Sequence, residues 1–341
     1  MTTSPARPRA ILRDISSRAW EHPADRGALV ALRKLKGFDT VLKAMSGLVN
    51  ERAVRLVFLG SAVRVDERQF ATLHRLLGEV AEVLDAPDLP KLPEVYVAAN
   101  PVPNAHTLGM NEPFIVLTSG LVDLLDEDEL RFVIGHELGH ALSGHAVYQT
   151  LLQRLIKLSG LMSTIPIGGL GVRAIVAALH EWSRKSELSA DRAGLLATQD
   201  PATAFRVHMK LASGGRLDDL DTPAFFAQGK EYLEAGDLRD SVLKLLLIEN
   251  QSHPFAVVRA AELRRWVDSG EYTAMLGGTY PRRDDDATAT VTDAAREAAR
   301  SYSEVFEHSQ DAVGKLAHDL AGFLGTAKVW LDDAVRRTRG A

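Results

Sequence analysis

Two histidines and a glutamate, His136, Glu137 and His140, form an H-E-x-x-H pattern near the middle of the chain. On an α-helix, residues four positions apart lie on the same face, so both imidazoles are predicted to bind one zinc ion. Glu137 directly follows the first histidine, and its carboxylate is predicted to take a proton from a water molecule on the metal. The spacing therefore indicates metal-assisted hydrolysis. A chance match on an ordinary surface helix is the alternative.

A catalytic zinc ion has three protein ligands, so a third ligand must come from elsewhere in the chain. The chain has no cysteine, which leaves histidine and carboxylate. His145 misses the H-E-x-x-H-x-x-G-x-x-H spacing by one position, and His180 lies in a helical stretch with no partner pattern. Glu187 is the strongest candidate, because Asp191 follows it by one helical turn and is predicted to accept the outer N–H of a ligand histidine.

The residues around the pattern predict the helix that carries it. Asp126 is a predicted N-cap, and Glu129, three positions later, completes a capping box. Apolar residues follow and supply a face for packing. Gly139 is a poor helix former. Its place beside a metal site predicts that another backbone or a substrate approaches closely there.

The remaining elements predict an α+β fold that is mostly helical. Residues 94–99 and 113–118 are rich in β-branched side chains and are predicted strands, and residues 105–109 are a candidate short strand. Helices are predicted for residues 66–84 and 173–194, among others. The small β-sheet is expected to pack beside the H-E-x-x-H helix.

Composition changes along the chain predict four regions. These are a helical N-terminal extension (1–84), the metal-binding domain (85–270), a linker (271–292) and a C-terminal amphipathic helical region (293–341). The last region is predicted to pack on the main body, and an arm for a partner or a membrane surface is the alternative.

The segment from Leu151 to Trp182 joins the two candidate ligand helices and is predicted to form a mobile cover over the cleft.

Composition also excludes several classes of protein. With 46% hydrophobic and 25% charged residues, the chain has the makeup of a soluble globular protein. A net charge of −5 argues against nucleic acid as a partner. The longest uncharged apolar stretch, residues 158–172, is shorter than the roughly 18–20 residues of a membrane helix, so only peripheral membrane contact is expected. The absence of cysteine and of an apolar leader predicts a cytoplasmic protein.

The H-E-x-x-H pattern followed by Glu187-Leu188-Ser189-Ala190-Asp191 resembles the gluzincin peptidase family of the HtpX heat-shock protease and the type-1 CAAX prenyl endopeptidases. Asn104-Ala105-His106, with Ser119-Gly120-Leu121 after it, is similar to the family's segment before the zinc helix, although His106 replaces the usual aromatic residue. Ser252-His253-Pro254, followed by Arg259, resembles a downstream motif. The resemblance covers roughly residues 84–265, and the chain resembles members without membrane-spanning helices.

This resemblance implies a zincin-like catalytic core and a zinc metalloendopeptidase that cuts protein or peptide substrates. It implies one zinc ion per chain, held by His136, His140 and Glu187, with Glu137 as the general base. The alternative function is a zinc-stabilised chaperone-like or protein-binding module with little turnover. Glu137 argues against that alternative, because a structural zinc site needs no general base. The sequence makes no prediction of oligomeric state.

The resemblance also implies groups that bind the substrate. His253 and Arg259 are the expected donors to the oxyanion that forms during hydrolysis. The strand at residues 113–118 is expected to offer a free edge to an extended peptide, through Leu117, while Asn104 and Ala105 contact the substrate backbone.

Overall fold

The computed structural model describes residues 8–35, 37–48, 51–86, 92–162, 168–234, 255–288, 290, 292, 295–296 and 299–300. The chain forms two compact units. The first combines Met1–His22, Arg52–Val147 and Arg184–Thr290, and the second combines Pro23–Glu51, Tyr148–Ser183 and Val291–Ala341. Every described residue that the sequence assigns to catalysis, metal binding or substrate contact lies in the first unit.

A four-stranded mixed sheet lies in the first unit. Its strands are β1 (Ala62–Arg64), β2 (Glu94–Ala98), β3 (Ala105–Leu108) and β4 (Phe114–Thr118). The spatial order is β1-β2-β4-β3, with β2 and β4 parallel and the other pairs antiparallel. The three strands predicted before the H-E-x-x-H pattern are confirmed, whereas β1 was not predicted. Every residue of β4 is buried, as expected for a central strand.

Helices make up most of the described chain, as predicted. Those of the first unit are α3 (Glu51–Ser61), α4 (Ala71–Val83), α5 (Ser119–Leu124), α6 (Glu127–Leu142), α9 (Pro201–Ser213), α10 (Thr222–Glu234), α11 (Ala256–Asp268) and α12 (Glu271–Leu276). Two more, α7 (His145–Met162) and α8 (Gly168–Thr198), contribute residues to each unit. None of the described helices is long and apolar enough to span a membrane.

The helix that carries H-E-x-x-H, α6, begins at the predicted capping box. The Asp126 carboxylate accepts from the Glu129 backbone N–H at 3.0 Å, and the Glu129 carboxylate accepts from the Asp126 N–H at 2.8 Å. Glu129 is fully buried, and Lys210 of α9 donates to it at 2.6 Å. The cap therefore also fixes α9 against the start of α6.

Close packing between α6 and α8 explains the glycine inside the pattern. A Cβ atom at Gly139 would lie 2.5 Å from the Cβ of Ala193, and one at Gly135 would lie 2.5 Å from the Cβ of Ala197. Real carbon atoms do not approach so closely, so only glycine lets the two helices cross here. The predicted close approach at Gly139 is made by Ala193 of α8, the helix that carries Glu187.

The core of the first unit lies between the sheet and the helices. Helix α4 packs against α6 and buries apolar residues at helical spacing, among them Leu73, Leu76, Leu77 and Val80. The N-terminal segment of residues 8–20 joins this core through Leu12 and Trp20, each 1% exposed. The Trp20 indole N–H donates to Ser143 Oγ at 3.0 Å, at the end of α6.

The second unit contains α1 (Pro23–Lys34), α2 (Phe38–Leu48) and parts of α7 and α8. Its aromatic side chains pack together. The rings of Phe38 and Tyr148 stack with centroids 6.3 Å apart, and Tyr148 lies 5.2 Å from Trp182. Arg33 donates to the Tyr148 hydroxyl oxygen at 2.9 Å. The predicted mobility of the segment from Leu151 to Trp182 stays a prediction.

The predicted domain boundaries also stay predictions. The proposed linker, residues 271–292, contains α12 and the short helix Arg283–Thr288, and its Pro281 carbonyl accepts from the Ser16 N–H at 3.0 Å. Most of the predicted C-terminal region, residues 293–341, lies outside the described residues.

Candidate active site

The three predicted metal ligands meet in the first unit. His136 and His140 project from α6, and Glu187 reaches them from α8. The two Nε2 atoms are 3.1 Å apart, and Glu187 carboxylate oxygens lie 3.4 Å from His136 Nε2 and 3.3 Å from His140 Nε2. Each of the three side chains is at most 4% exposed. Among the described residues, these three form the group that fits a metal ion.

The distances between the ligand atoms fit a small tetrahedral ion. Zinc binds imidazole nitrogen and carboxylate oxygen at about 2.0–2.2 Å, which puts two ligand atoms of a tetrahedron about 3.3–3.6 Å apart. The 3.1 Å between the two histidine nitrogens lies just below that range. The distances of 3.4 and 3.3 Å from these nitrogens to Glu187, each to a different oxygen of its carboxylate, lie within it. Two imidazoles and one carboxylate also match a catalytic zinc set that leaves one position open. The residues present therefore fit a zinc ion.

Asp191 lies one turn after Glu187 on α8 and contacts the outer nitrogen of His136. The Asp191 carboxylate is 3.1 Å from His136 Nδ1, so it can accept the N–H on that atom and fix the tautomer that exposes Nε2. Burial lowers the pKa of His136, but the bonds to Asp191 and Glu187 outweigh it and raise the pKa to about 9. The predicted contact of Asp191 with a ligand histidine is present in the structure.

Arg259, from α11, completes a buried ionic network behind the ligands. Its Nε and one terminal nitrogen donate to the two oxygens of Asp191 at 2.7 and 2.5 Å, and the other terminal nitrogen lies 3.1 Å from Glu187. Burial opposes both charges, but the pairing lowers the pKa of Asp191 and raises that of Arg259. Arg259, predicted to act on an oxyanion, is thus engaged by two carboxylates.

The expected general base, Glu137, is held by a residue of the sheet. Thr107 of β3 lies with its hydroxyl 2.6 Å from the Glu137 carboxylate and 2.9 Å from the Glu137 carbonyl oxygen. Burial raises the pKa of Glu137 to about 7, near the value at which a general base works best at neutral pH. Thr107 was not singled out from the sequence. The sequence did offer one indication: Thr107 follows Ala105, a predicted substrate contact, by two residues, so both side chains lie on the same face of β3.

A second residue missed by sequence reasoning is His208 of α9. Its side chain is fully buried, with Nε2 3.6 Å from Asp191 and its ring 5.6 Å from that of Phe132. Burial lowers the pKa of His208 to about 4, so the ring is neutral at neutral pH. The neutral ring of His208 thus lies between the Asp191 carboxylate and the apolar ring of Phe132. The residues around His208 read as an ordinary helix, so the sequence did not predict that its side chain lies near the metal ligands.

A cavity of about 380 Å³ opens beside the ligands. Asn104, Glu137 and Arg259 contribute polar groups to its wall. Most of the remaining wall is apolar and comes from α5, α6 and α9: Leu121, Phe132, Val133, Val207, Leu211 and Ala212. The arrangement can hold an apolar side chain next to a carboxylate base and a metal ion.

The loop before β3 is fixed by the segment that starts α5. Ser119 Oγ accepts from the Asn100 N–H at 3.1 Å, and the Gly120 N–H donates to the Asn100 carbonyl at 2.9 Å. Asn104 accepts from the Ala105 N–H through its own side-chain oxygen at 2.9 Å. These bonds place Asn104 and Ala105 at the cavity, where the sequence predicted substrate contacts. The contacts themselves stay predictions.

The predicted free edge at residues 113–118 is wrong. Strand β4 lies between β2 and β3, which occupy both of its hydrogen-bonding edges, and Leu117 pairs with Val97 and Ala105. Leu117 is fully buried, so it cannot contact a substrate. Within the described part of the chain, β3 is the outer strand on the side of the site. His253 lies outside the described residues, and its predicted role stays a prediction.

Comparison with known proteins shows similarity to metallopeptidases. A model of the family described as "Peptidase family M48" matches residues 67–267. The chain is 35% identical to "Plastoglobule-localized metallopeptidase 48, chloroplastic" of Arabidopsis thaliana over 279 residues, which cover 79% of this chain and 78% of that protein.

Shorter matches connect the chain to two further kinds of peptidase. It is 29% identical to "Protease HtpX homolog" of Tropheryma whipplei over 37% of this chain and 52% of that protein. It is 31% identical to "Metalloendopeptidase OMA1, mitochondrial" of Homo sapiens over 30% of this chain and 22% of that protein. No solved structure matches.

Proposed function

Because the chain belongs to peptidase family M48, and is therefore a metallopeptidase, we propose that it is a zinc-dependent endopeptidase that cuts protein or peptide substrates. The proposal rests on the meeting of His136, His140 and Glu187 at ligand distances, with Glu137 beside them at the wall of one cavity. A cytoplasmic location was predicted from the sequence and remains part of the proposal.

The metal is proposed to be zinc, held by the two imidazoles and the carboxylate. Bound there, zinc supplies a Lewis acid that polarises the substrate carbonyl and makes water acidic enough to react near neutral pH. Glu137 accepts a proton from the attacking water at a side-chain oxygen and passes it to the leaving amine, a role worth about 10²–10⁴-fold in rate. Thr107 holds that carboxylate in place through the 2.6 Å bond. Asp191 and Arg259 keep His136 and Glu187 oriented.

An extended substrate is proposed to pair with β3 instead of β4. Strand β3 is the outer strand, its Ala105 lines the cavity, and its Thr107 touches the general base. A peptide lying along it would bring an apolar side chain into the cavity.

Replacement of Asn104 by alanine is expected to raise KM several-fold without changing metal content, because one polar group beside β3 is lost. Asn111→Ala, on the exposed loop after β3, is the control and is expected to keep the wild-type KM. If Asn104→Ala also kept the wild-type KM and kcat, Asn104 would not contact the substrate.

Metal removal tests the function as a whole. The purified full chain is expected to contain about one zinc ion, to digest unfolded casein, to lose activity with 1,10-phenanthroline and to regain it with added zinc. Metal content by elemental analysis and peptide release are measured on the same sample. Full digestion after the metal is gone would refute the proposal. Bound zinc with no digestion of casein or of shorter unfolded peptides would favour a zinc-stabilised binding module.

A further inference from the structure

His145 lies against the outer nitrogen of a metal ligand. Its Nδ1 is 3.0 Å from Nδ1 of His140, and the two residues are 4% and 1% exposed. The other nitrogen of His140, Nε2, faces His136 and Glu187. His145 therefore contacts His140 on the side turned away from the ligand group.

The chemistry of a coordinated imidazole determines the direction of this bond. A neutral histidine that binds a metal through Nε2 carries its proton on Nδ1. His140 must therefore donate, and His145 must accept through Nδ1. Asp191 accepts from Nδ1 of His136 in the same way. Each ligand histidine thus has its own acceptor, a carboxylate for the first and an imidazole for the second.

The turn between two helices brings His145 to this position. Five residues along an uninterrupted helix correspond to about 500° of rotation, which would point His145 about 140° away from His140. Instead, α6 ends at Leu142 with Ser143 as its C-cap, Gly144 takes a left-handed conformation with φ +68°, and α7 begins at His145. The hydrogen bond from Trp20 to Ser143 holds the turn. The glycine reverses the chain so that the ring of His145 returns to His140.

We propose that His145 is a positioning residue that fixes the tautomer and orientation of His140 and thereby sets the affinity of the site for its metal. The inference rests on the metal site of the proposed function and does not depend on peptidase activity. It differs from a ligand role, because the Nδ1 contact lies on the outer side of His140.

Zinc affinity of the purified full chain tests this role. His145→Ala is expected to weaken zinc binding by about 10–100-fold, the usual effect of removing a partner of a ligand histidine. His145→Asn places an amide oxygen close to the position of Nδ1 and is expected to stay within a few-fold of the wild type. His74→Ala, at an exposed histidine of α4, is the matched control. Dissociation constants are measured by competition with a chromophoric chelator.

Cobalt substitution separates a positioning role from a ligand role. The visible absorption of bound Co²⁺ reports the number of ligands, and it is expected to be the same in the wild type and in His145→Ala. A lower coordination number in the variant would make His145 a ligand and overturn the inference, as would equal zinc affinity in the wild type and His145→Ala. If the alanine variant does not fold, His145→Leu replaces it, because leucine fills the space without accepting a hydrogen bond. Failure of the wild type to bind zinc would refute the proposed function itself.

Discussion

Replacement of Glu137 by glutamine is expected to lower kcat by at least about 10²–10⁴-fold while zinc content stays at the wild-type level. The amide has the shape of the carboxylate and its oxygen can still accept from Thr107, but it cannot take a proton from water. The ligand atoms of His136, His140 and Glu187 are unchanged by the substitution. Elemental analysis of the metal and the rate of casein digestion, measured on the same preparations, check both halves of the prediction.

Glu127→Gln is the matched control for this substitution. Glu127 lies on the same helix, α6, but its side chain is 51% exposed and pairs with Arg75 at 2.6 Å and Arg131 at 3.8 Å, away from the metal ligands. This control is expected to keep both metal and activity. If Glu137→Gln cut casein as fast as the control, proton transfer by Glu137 would be excluded. If Glu137→Gln instead lost its zinc, Glu137 would help to hold the metal.

Local features of the site could be predicted from the sequence because short-range physics determines them. The capping box of Asp126 and Glu129 involves residues three apart, and the convergence of His136 and His140 follows from one turn of helix. The glycine in the pattern also predicted a close approach, since no side chain fits where helices cross at short distance. These features did not depend on knowing the rest of the fold.

Features that depend on which elements become neighbours could not be predicted in the same way. The order of strands decided that β3, and not β4, is the outer strand, and nothing within residues 113–118 encodes that order. Thr107 meets Glu137 only because β3 packs on α6, thirty positions away in the chain. His145 had been compared with a ligand spacing, but its actual partner depends on the left-handed turn at Gly144.

The role of Arg259 shows how burial can change an interpretation drawn from a motif. The resemblance to a peptidase family implied a donor to the oxyanion, which requires a guanidinium group facing the substrate. In the structure all three guanidinium nitrogens contact Asp191 or Glu187, although the residue also lines the cavity. The geometry favours a group that neutralises two buried carboxylates.

Arg259→Met is therefore expected to lower the free energy of unfolding by about 3–5 kcal/mol, because removing one partner of a buried ion pair leaves an uncompensated charge. Methionine keeps much of the side-chain volume, so the loss comes from charge and hydrogen bonds. Zinc affinity is expected to fall as well, since Glu187 and the Asp191–His136 bond lose their support. Urea unfolding of the metal-free protein and zinc competition measure the two effects separately.

Arg265→Met, on the same helix α11, is the control, because Arg265 is 64% exposed and pairs only with nearby Glu262 among the described residues. It is expected to change stability by less than about 1 kcal/mol. A different result for Arg259→Met would contradict the role in neutralising the carboxylates. If the variant stayed stable and kept its full zinc content but lost most of its kcat, Arg259 would be a donor to the oxyanion. Unfolding and metal loss together would leave that role to a residue such as His253.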